Sequence, residues 1–146
     1  MAGSERDRPQ LADFPLQAAE KLRFSDTDRL GHVNNTVFST LLETGRVDFL
    51  LASDPPLGAP GCVFVIANLQ LDFLAEITWP GTVEIGTAVV SVGTSSMVLT
   101  QALFQHGRCV ASARSVLVQM NEKTRRAQAL SAETAARLEK LKRPQA

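Results

Sequence analysis

Tyrosine is absent from this chain of 146 residues, and cysteine and tryptophan are scarce, with two and one respectively. Without tyrosine, every mechanism that needs a phenol hydroxyl is excluded. Cys62 and Cys109 lie far apart and show neither CxxC nor Cys/His ligand spacing. We therefore expect two unpaired thiols that pack as small hydrophobic side chains, and neither a disulfide nor a metal site.

The chain also lacks an excess of charge of one sign and a long hydrophobic run. Fifteen Lys and Arg residues balance fifteen Asp and Glu residues, so the formal net charge is zero. A nucleic-acid partner would require a positive footprint, which is missing. No apolar run reaches the roughly 18 residues of a membrane-spanning helix, and residues 1–14 carry no secretory signal. We expect a soluble cytoplasmic protein without a nucleic-acid or membrane partner.

The length is that of one domain. Pro9 and Pro15 interrupt residues 1–16, which we expect to be a flexible tail, and residues 17–142 are expected to form the single domain. Apolar residues at helical spacing predict one long helix over residues 34–51. Gly45 lowers the helix propensity there and predicts a close approach to a neighbouring element.

Strand patterns surround this helix. Residues 16–24 read as a strand before it, and the loop 54–61 ends the helical pattern. Four segments rich in β-branched and aromatic residues follow, separated by turn residues such as His106-Gly107, and we expect antiparallel strands there: 62–74, 82–92, 96–105 and 109–120. Ser131 begins a short amphipathic helix. The predicted class is α+β, with one antiparallel sheet against one long helix.

Polar residues that could take part in catalysis lie where the first strand ends and the long helix begins. Asp26 and Asp28 precede a Gly-His pair and the helix cap Asn34-Asn35. The first N–H groups of a helix are unpaired and lie at its positive end, where they bind an anion or a developing oxyanion. A nearby carboxylate can attack a carbonyl or activate water. Each piece alone also has a structural explanation, as turn or helix capping.

The combination resembles a known signature. Asp-Thr-Asp-x-x-Gly-His-Val-Asn-Asn at residues 26–35, followed by Phe38, Glu43 and Arg46, resembles the opening motif of the hotdog-fold thioesterases of the 4-hydroxybenzoyl-CoA thioesterase family. The likeness covers about residues 18–141. It implies a hotdog fold, in which a sheet of about five strands wraps around a long central helix and a short C-terminal helix follows. It also implies an acyl-CoA thioesterase that needs no cofactor or metal.

The resemblance assigns roles residue by residue. Asp28 would be catalytic, as nucleophile or as general base, and the backbone N–H of Asn35 would polarise the thioester carbonyl. Gly31 would allow a tight approach of the substrate, while His32 and Asn34 would line the site.

Further positions concern substrate binding. Phe38 occupies a position where family members commonly carry Tyr. We therefore expect the substrate pocket of this protein to differ from theirs. Glu43 would contact the substrate, or would only pair with Arg46 one helical turn away. By charge alone, four basic residues are candidates for the phosphates of coenzyme A: Arg108, Lys123, Arg125 and Arg126.

The resemblance further implies a homodimer or homotetramer with the active site at the subunit interface. Two other functions are compatible with the motif: an acyl-CoA-binding hotdog protein without turnover, and a thioesterase for acyl carrier protein. A hotdog hydratase is disfavoured, because its Asp and His are set further apart beside an Asn-Pro turn, whereas three residues separate Asp28 from His32 here and none is proline.

Overall fold

Five strands and two main helices form from the segments that the residue periodicity predicts. In the computed structural model, which describes residues 4–143, the antiparallel sheet has the order β1-β3-β4-β5-β2. The strands are β1 (Leu16–Lys21), β2 (Cys62–Phe73), β3 (Thr82–Val92), β4 (Ser96–Gln105) and β5 (Arg108–Asn121). The helices are α1 (Asn35–Leu51) and α2 (Ala132–Glu139). The α+β prediction is confirmed, and no helix within residues 4–143 is both long and apolar enough to cross a membrane.

Helix α1 packs closely on the sheet because small side chains lie beneath it. Ala111 and Ala113 of β5 share one core cluster with Phe38 of the helix. A Cβ atom on Gly45 would lie only 2.6 Å from the Cγ2 atom of Ile85. The predicted close approach at this glycine is confirmed, and the neighbour is a side chain of β3.

The packing predicted for the two cysteines is also confirmed. Cys62 is half-buried and Cys109 is buried, and both thiols are free. Burial raises the pKa of the Cys109 thiol, as expected for a group that packs as a small hydrophobic side chain. His106 and Gly107 form the predicted turn between β4 and β5, with φ angles of 54° and 75°.

The segment before β1 differs from the flexible tail that was expected. Leu11 packs against the core, and Phe14 is buried with its ring centroid 6.1 Å from that of Phe104. Gly86 of β3 leaves the space for this ring, since a Cβ there would lie 2.6 Å from Phe14. Leu11 and Phe14 therefore pack against the core of the domain. Pro9 and Pro15 interrupt any helical or strand pattern around Phe14, so the sequence does not reveal that this side chain is buried. Residues 1–3 lie outside the described part of the chain.

The two edge strands of the sheet differ in length and in polarity. β1 has six residues and carries Glu20 and Lys21. β2 has twelve residues, contains no Lys or Arg, and exposes Ile66, Leu69 and Phe73 to 46%, 36% and 53%. Their β5 partners Leu117, Ser115 and Ala111 line the α1 side of the sheet, so these apolar side chains lie on that side too.

Candidate active site

The two carboxylates of the motif lie in different surroundings. The Asp26 side chain is buried, and its Oδ2 atom accepts a hydrogen bond from the Arg23 backbone N–H at 2.7 Å. Its Oδ1 atom accepts from Arg23 Nη2 at 2.9 Å. The backbone hydrogen bond is the main cause that lowers the pKa of Asp26, with further help from the guanidinium. Asp26 therefore has a structural role, as the carboxylate that closes the turn after β1.

Asp28 organises its own turn and also faces a cleft. Its Oδ1 atom accepts hydrogen bonds from the backbone N–H groups of Leu30 at 2.8 Å and His32 at 3.3 Å. Its backbone N–H donates to the His32 carbonyl at 2.7 Å. Gly31 has a φ angle of 83°, which favours glycine at the corner of this turn. The half-buried carboxylate is thus held in one orientation by main-chain donors.

The start of α1 leaves one donor unused. The Asn34 side chain caps the helix, since its Oδ1 atom accepts from the Thr36 N–H at 3.0 Å, and the Val37 N–H donates to the Asn34 carbonyl at 2.9 Å. For the N–H of Asn35, the first helical residue, we find no acceptor within residues 4–143. This donor lies at the positive end of a helix of 17 residues.

The segment that follows β2 forms the opposite wall of the site. His32 Nε2 lies 3.0 Å from Glu76 Oε2, and the Val33 N–H donates to the Ile77 carbonyl at 2.9 Å. Sequence reasoning missed Glu76. Its contact with the motif depends on an isolated bridge between His32 and Thr78. Such a pairing cannot be predicted from the spacing of residues along the chain.

These elements enclose an open cleft of about 370 Å³. It brings together four of the predicted site residues, namely Asp28, His32, Asn35 and Phe38. Phe73 of β2, which sequence reasoning also missed, packs edge-to-face on Phe38 with ring centroids 5.0 Å apart. The cleft therefore combines a carboxylate, an unpaired N–H and an apolar aromatic wall.

Three other predicted residues lie beside this cleft without lining it. Gly31 forms the exposed corner of the turn, Asn34 is the helix cap, and Glu43 is exposed further along α1. Burial lowers the pKa of Arg46, and the negative charge of Glu43 opposes this effect.

A second cleft of about 600 Å³ adjoins the first and shares Leu74, Ala75 and Glu76 with it. Among the four basic candidates for phosphate binding, Arg108 lines this second cleft. Lys123 and Arg125 lie in the turn after β5, at the other end of the strand. Residues 4–143 contain no group of three or more His, Cys, Asp or Glu side chains arranged to hold a metal ion.

Solved structures of other proteins share this architecture. The PA5185 protein of Pseudomonas aeruginosa has a TM-score of 0.85 at 25% identity, over 95% of this chain and 99% of its own. The probable thioesterase YbaW of Escherichia coli has a TM-score of 0.76 at 28% identity, over 86% and 98% of the two chains. A Thermus thermophilus thioesterase solved with coenzyme A and Zn has a TM-score of 0.75 at 28% identity, also over 86% and 98%.

These likenesses confirm the hotdog fold that the motif implied. No curated protein sequence matches the chain significantly. The sequence profile of the thioesterase-like superfamily matches residues 22–138, which include the motif, the central helix and all strands from β2 to β5. The chain therefore belongs to the thioesterase-like superfamily.

Proposed function

We propose that this protein hydrolyses acyl-CoA thioesters to the free acid and coenzyme A. The observation that carries the proposal is the cleft in which the Asp28 carboxylate and the unpaired N–H of Asn35 meet. Membership of the thioesterase-like superfamily supports the reaction class. The coenzyme A bound in the Thermus thermophilus relative supports the choice of thiol.

The geometry suits attack on a thioester carbonyl. The carbonyl oxygen accepts a hydrogen bond from the Asn35 N–H, and the positive helix end stabilises the charge that develops on it. One such donor is worth about 2.7–4 kcal/mol at the transition state. Asp28 then attacks the carbonyl carbon to form a mixed anhydride that water hydrolyses, or it removes a proton from an attacking water.

The leaving group explains why no second acid is needed. A thiol such as the one in coenzyme A has a pKa of about 8.5, by analogy with cysteine, so its thiolate departs without prior protonation. His32 and Glu76 then hold the site in place. The backbone N–H of His32 donates to Asp28, and the His32 imidazole pairs with Glu76. Phe38 and Phe73 form an apolar wall, and the part of the acyl group next to the thioester packs against it.

We further propose that the working unit is a dimer formed through β2. A long, exposed, apolar edge strand is a template for a second chain, and natural proteins protect such edges with charge or with a partner. β1 is short and charged, whereas β2 exposes Ile66, Leu69 and Phe73. On the same side, α1 exposes Val47 to 42% and Leu51 to 74%. Antiparallel pairing of two β2 strands would cover all five side chains.

A panel of acyl thioesters tests the proposed reaction. Acyl-CoA substrates and one acyl carrier protein thioester are incubated with the protein, and thiol release is followed with a thiol reagent. We expect release from acyl-CoA. Tight acyl-CoA binding in calorimetry without thiol release would instead identify a binding protein, and release from the carrier protein thioester alone would change the thiol partner.

A further inference from the structure

We infer that Gln105 is a positioning residue for the proposed hydrolysis, because its side-chain amide holds the wall of the site that pairs with the Asp28 turn. The inference rests on the proposed thioesterase function. Gln105 is the last residue of β4, and it belongs neither to the motif nor to the lining of the cleft that contains Asp28. It acts through Thr78 and His32, and not on the substrate.

The amide of Gln105 bonds both main-chain groups of Thr78. Its Oε1 atom accepts a hydrogen bond from the Thr78 N–H at 2.9 Å, and its Nε2 atom donates to the Thr78 carbonyl at 2.8 Å. Gln105 is only 4% exposed, so the amide is fixed by its surroundings. Gly81 leaves room for it, since a Cβ there would lie 3.2 Å from Nε2. The amide thus takes the place of a neighbouring strand, because it offers one acceptor and one donor to the same residue.

The pairing of Thr78 with the motif explains why its main-chain groups face Gln105. Thr78 forms an isolated antiparallel bridge with His32. Beside this bridge, the Val33 N–H donates to the Ile77 carbonyl at 2.9 Å, so His32 and Thr78 are a non-hydrogen-bonded pair. The N–H and the carbonyl of Thr78 therefore point away from His32, to the side where the Gln105 amide bonds both. A single bridge has few hydrogen bonds of its own, so these two bonds are a large part of what holds the segment.

His32 connects this segment to Asp28. The Asp28 N–H donates to the His32 carbonyl at 2.7 Å, and the His32 N–H donates to Asp28 Oδ1 at 3.3 Å. The same segment places Glu76 Oε2 3.0 Å from His32 Nε2. A shift of the segment would therefore move His32 and change the orientation of the Asp28 carboxylate. A misplacement of about 1 Å at a reacting group lowers the rate by about 10²-fold.

Gln105→Met tests the inference, because it keeps the length of the side chain and removes the amide. We expect kcat for acyl-CoA to fall about 10–10²-fold while KM stays within about threefold of wild type, since the substrate still binds but Asp28 is no longer held in place.

Gln119→Met is the matched control. Gln119 is 1% exposed, and its amide likewise bonds main-chain groups, at the other end of the sheet. Its partners are the Ala59 N–H and the carbonyls of Gln128 and Ala129. The control therefore loses a comparable set of buried hydrogen bonds, and its kcat should stay within about twofold of wild type.

Gln105→Glu separates positioning from a general loss of stability. The introduced carboxylate accepts the Thr78 N–H but has no proton for the Thr78 carbonyl, and it regains this donor when it is protonated. Burial raises the pKa of such a carboxyl group, so the ratio of variant to wild-type kcat should rise as the pH falls from about 8 to about 5. The charged and titratable groups that line the same cleft are present in both proteins, so the ratio removes their contribution: Glu76, His106 and Arg108.

Amide hydrogen exchange measures the positioning without turnover. We expect the Val33 and Asp28 amides to exchange about tenfold faster or more in Gln105→Met than in Gln119→Met. If Gln105→Met does not fold, Gln105→Glu at about pH 8 serves for both measurements, because its carboxylate lacks the donor.

Equal exchange of these amides in the two methionine variants, or equal kcat, would overturn the inference and leave the thioesterase function standing. If the wild-type protein releases no thiol from any acyl-CoA, the proposed function fails, and the role of Gln105 in the reaction fails with it.

Discussion

Asp26 and Asp28 are separated by one residue, yet they lie in different surroundings and make different hydrogen bonds. Sequence reasoning offered turn capping as the structural explanation for both. Asp26 does only this, held by the main chain and guanidinium of Arg23. Asp28 also caps a turn through Oδ1, yet it lines the cleft with Asn35. The family motif singled out Asp28, but residue type and spacing alone could not separate the two carboxylates.

We predict that Asp26→Asn lowers the free energy of unfolding at pH 7 by about 1–3 kcal/mol, because a buried carboxylate with charge-assisted bonds is lost. The pKa of Asp26 is lowered by folding, so its contribution is present above the unfolded value near 4 and fades as the pH falls through the folded value. Urea unfolding of wild type and variant at several pH values measures the difference.

The matched control is Asp48→Asn, at an exposed position on α1, which should stay within about 0.5 kcal/mol of wild type. A stability difference between wild type and Asp26→Asn that is as large at about pH 2 as at pH 7 would contradict the assigned role of the ionised carboxylate.

At the scale of elements, periodicity predicted the sheet and α1 closely, because burial on one face leaves a regular pattern in the sequence. Asn34 caps α1 and Ser131 caps α2, as their residue types indicate. The elements that the sequence could not predict owe their position to tertiary contacts. Leu11–Asp13 is a short 3-10 turn that packs beside Phe14. Glu76 reaches the site because its segment forms an isolated bridge to His32.

Gly45→Ala tests the contact between α1 and the sheet. Intrinsic helix propensity favours alanine by about 1 kcal/mol. Against this, the added Cβ would lie 2.6 Å from Ile85 Cγ2 and 3.0 Å from Gln101 Nε2. The amide of Gln101 is buried and donates to the Leu42 carbonyl, so it has little freedom to move. We expect a net loss of stability of about 1–3 kcal/mol in urea unfolding.

Gly58→Ala is the comparison for this substitution, because its Cβ would meet Phe64 at an ordinary distance of 3.5 Å. It should unfold close to wild type. A Gly45→Ala protein more stable than wild type would show that propensity outweighs the contact and that α1 can move away from β3.

The whole molecule presents one face on which the exposed apolar residues of β2 and α1 lie together, and the site opens on the same face. The length of the chain indicated one domain, and the structure adds that this domain leaves its longest edge strand uncovered. The family resemblance, rather than composition, led to the expectation of a dimer. Zero net charge was informative only about nucleic acid, since a net charge does not show where single basic residues such as Arg108 lie.

Leu69→Lys tests the proposed dimer, because it places a charge in the middle of β2 at a side chain that is 36% exposed. We expect a folded monomer in light scattering, and loss of thioesterase activity follows from the proposal that the dimer is the working unit. Val90→Lys is the matched control on β3, where the native side chain is 39% exposed, and it should remain a dimer with wild-type activity. A wild-type monomer with full activity would contradict the proposed assembly.

The rate of coenzyme A release by Asp28→Asn tests the central claim most directly. The substitution keeps the size of the side chain and removes the carboxylate that acts as nucleophile or base. We predict a loss of about 10²–10⁴-fold in kcat with acyl-CoA binding retained in calorimetry, whereas Asp48→Asn should match wild type. Undiminished turnover by Asp28→Asn would contradict the account.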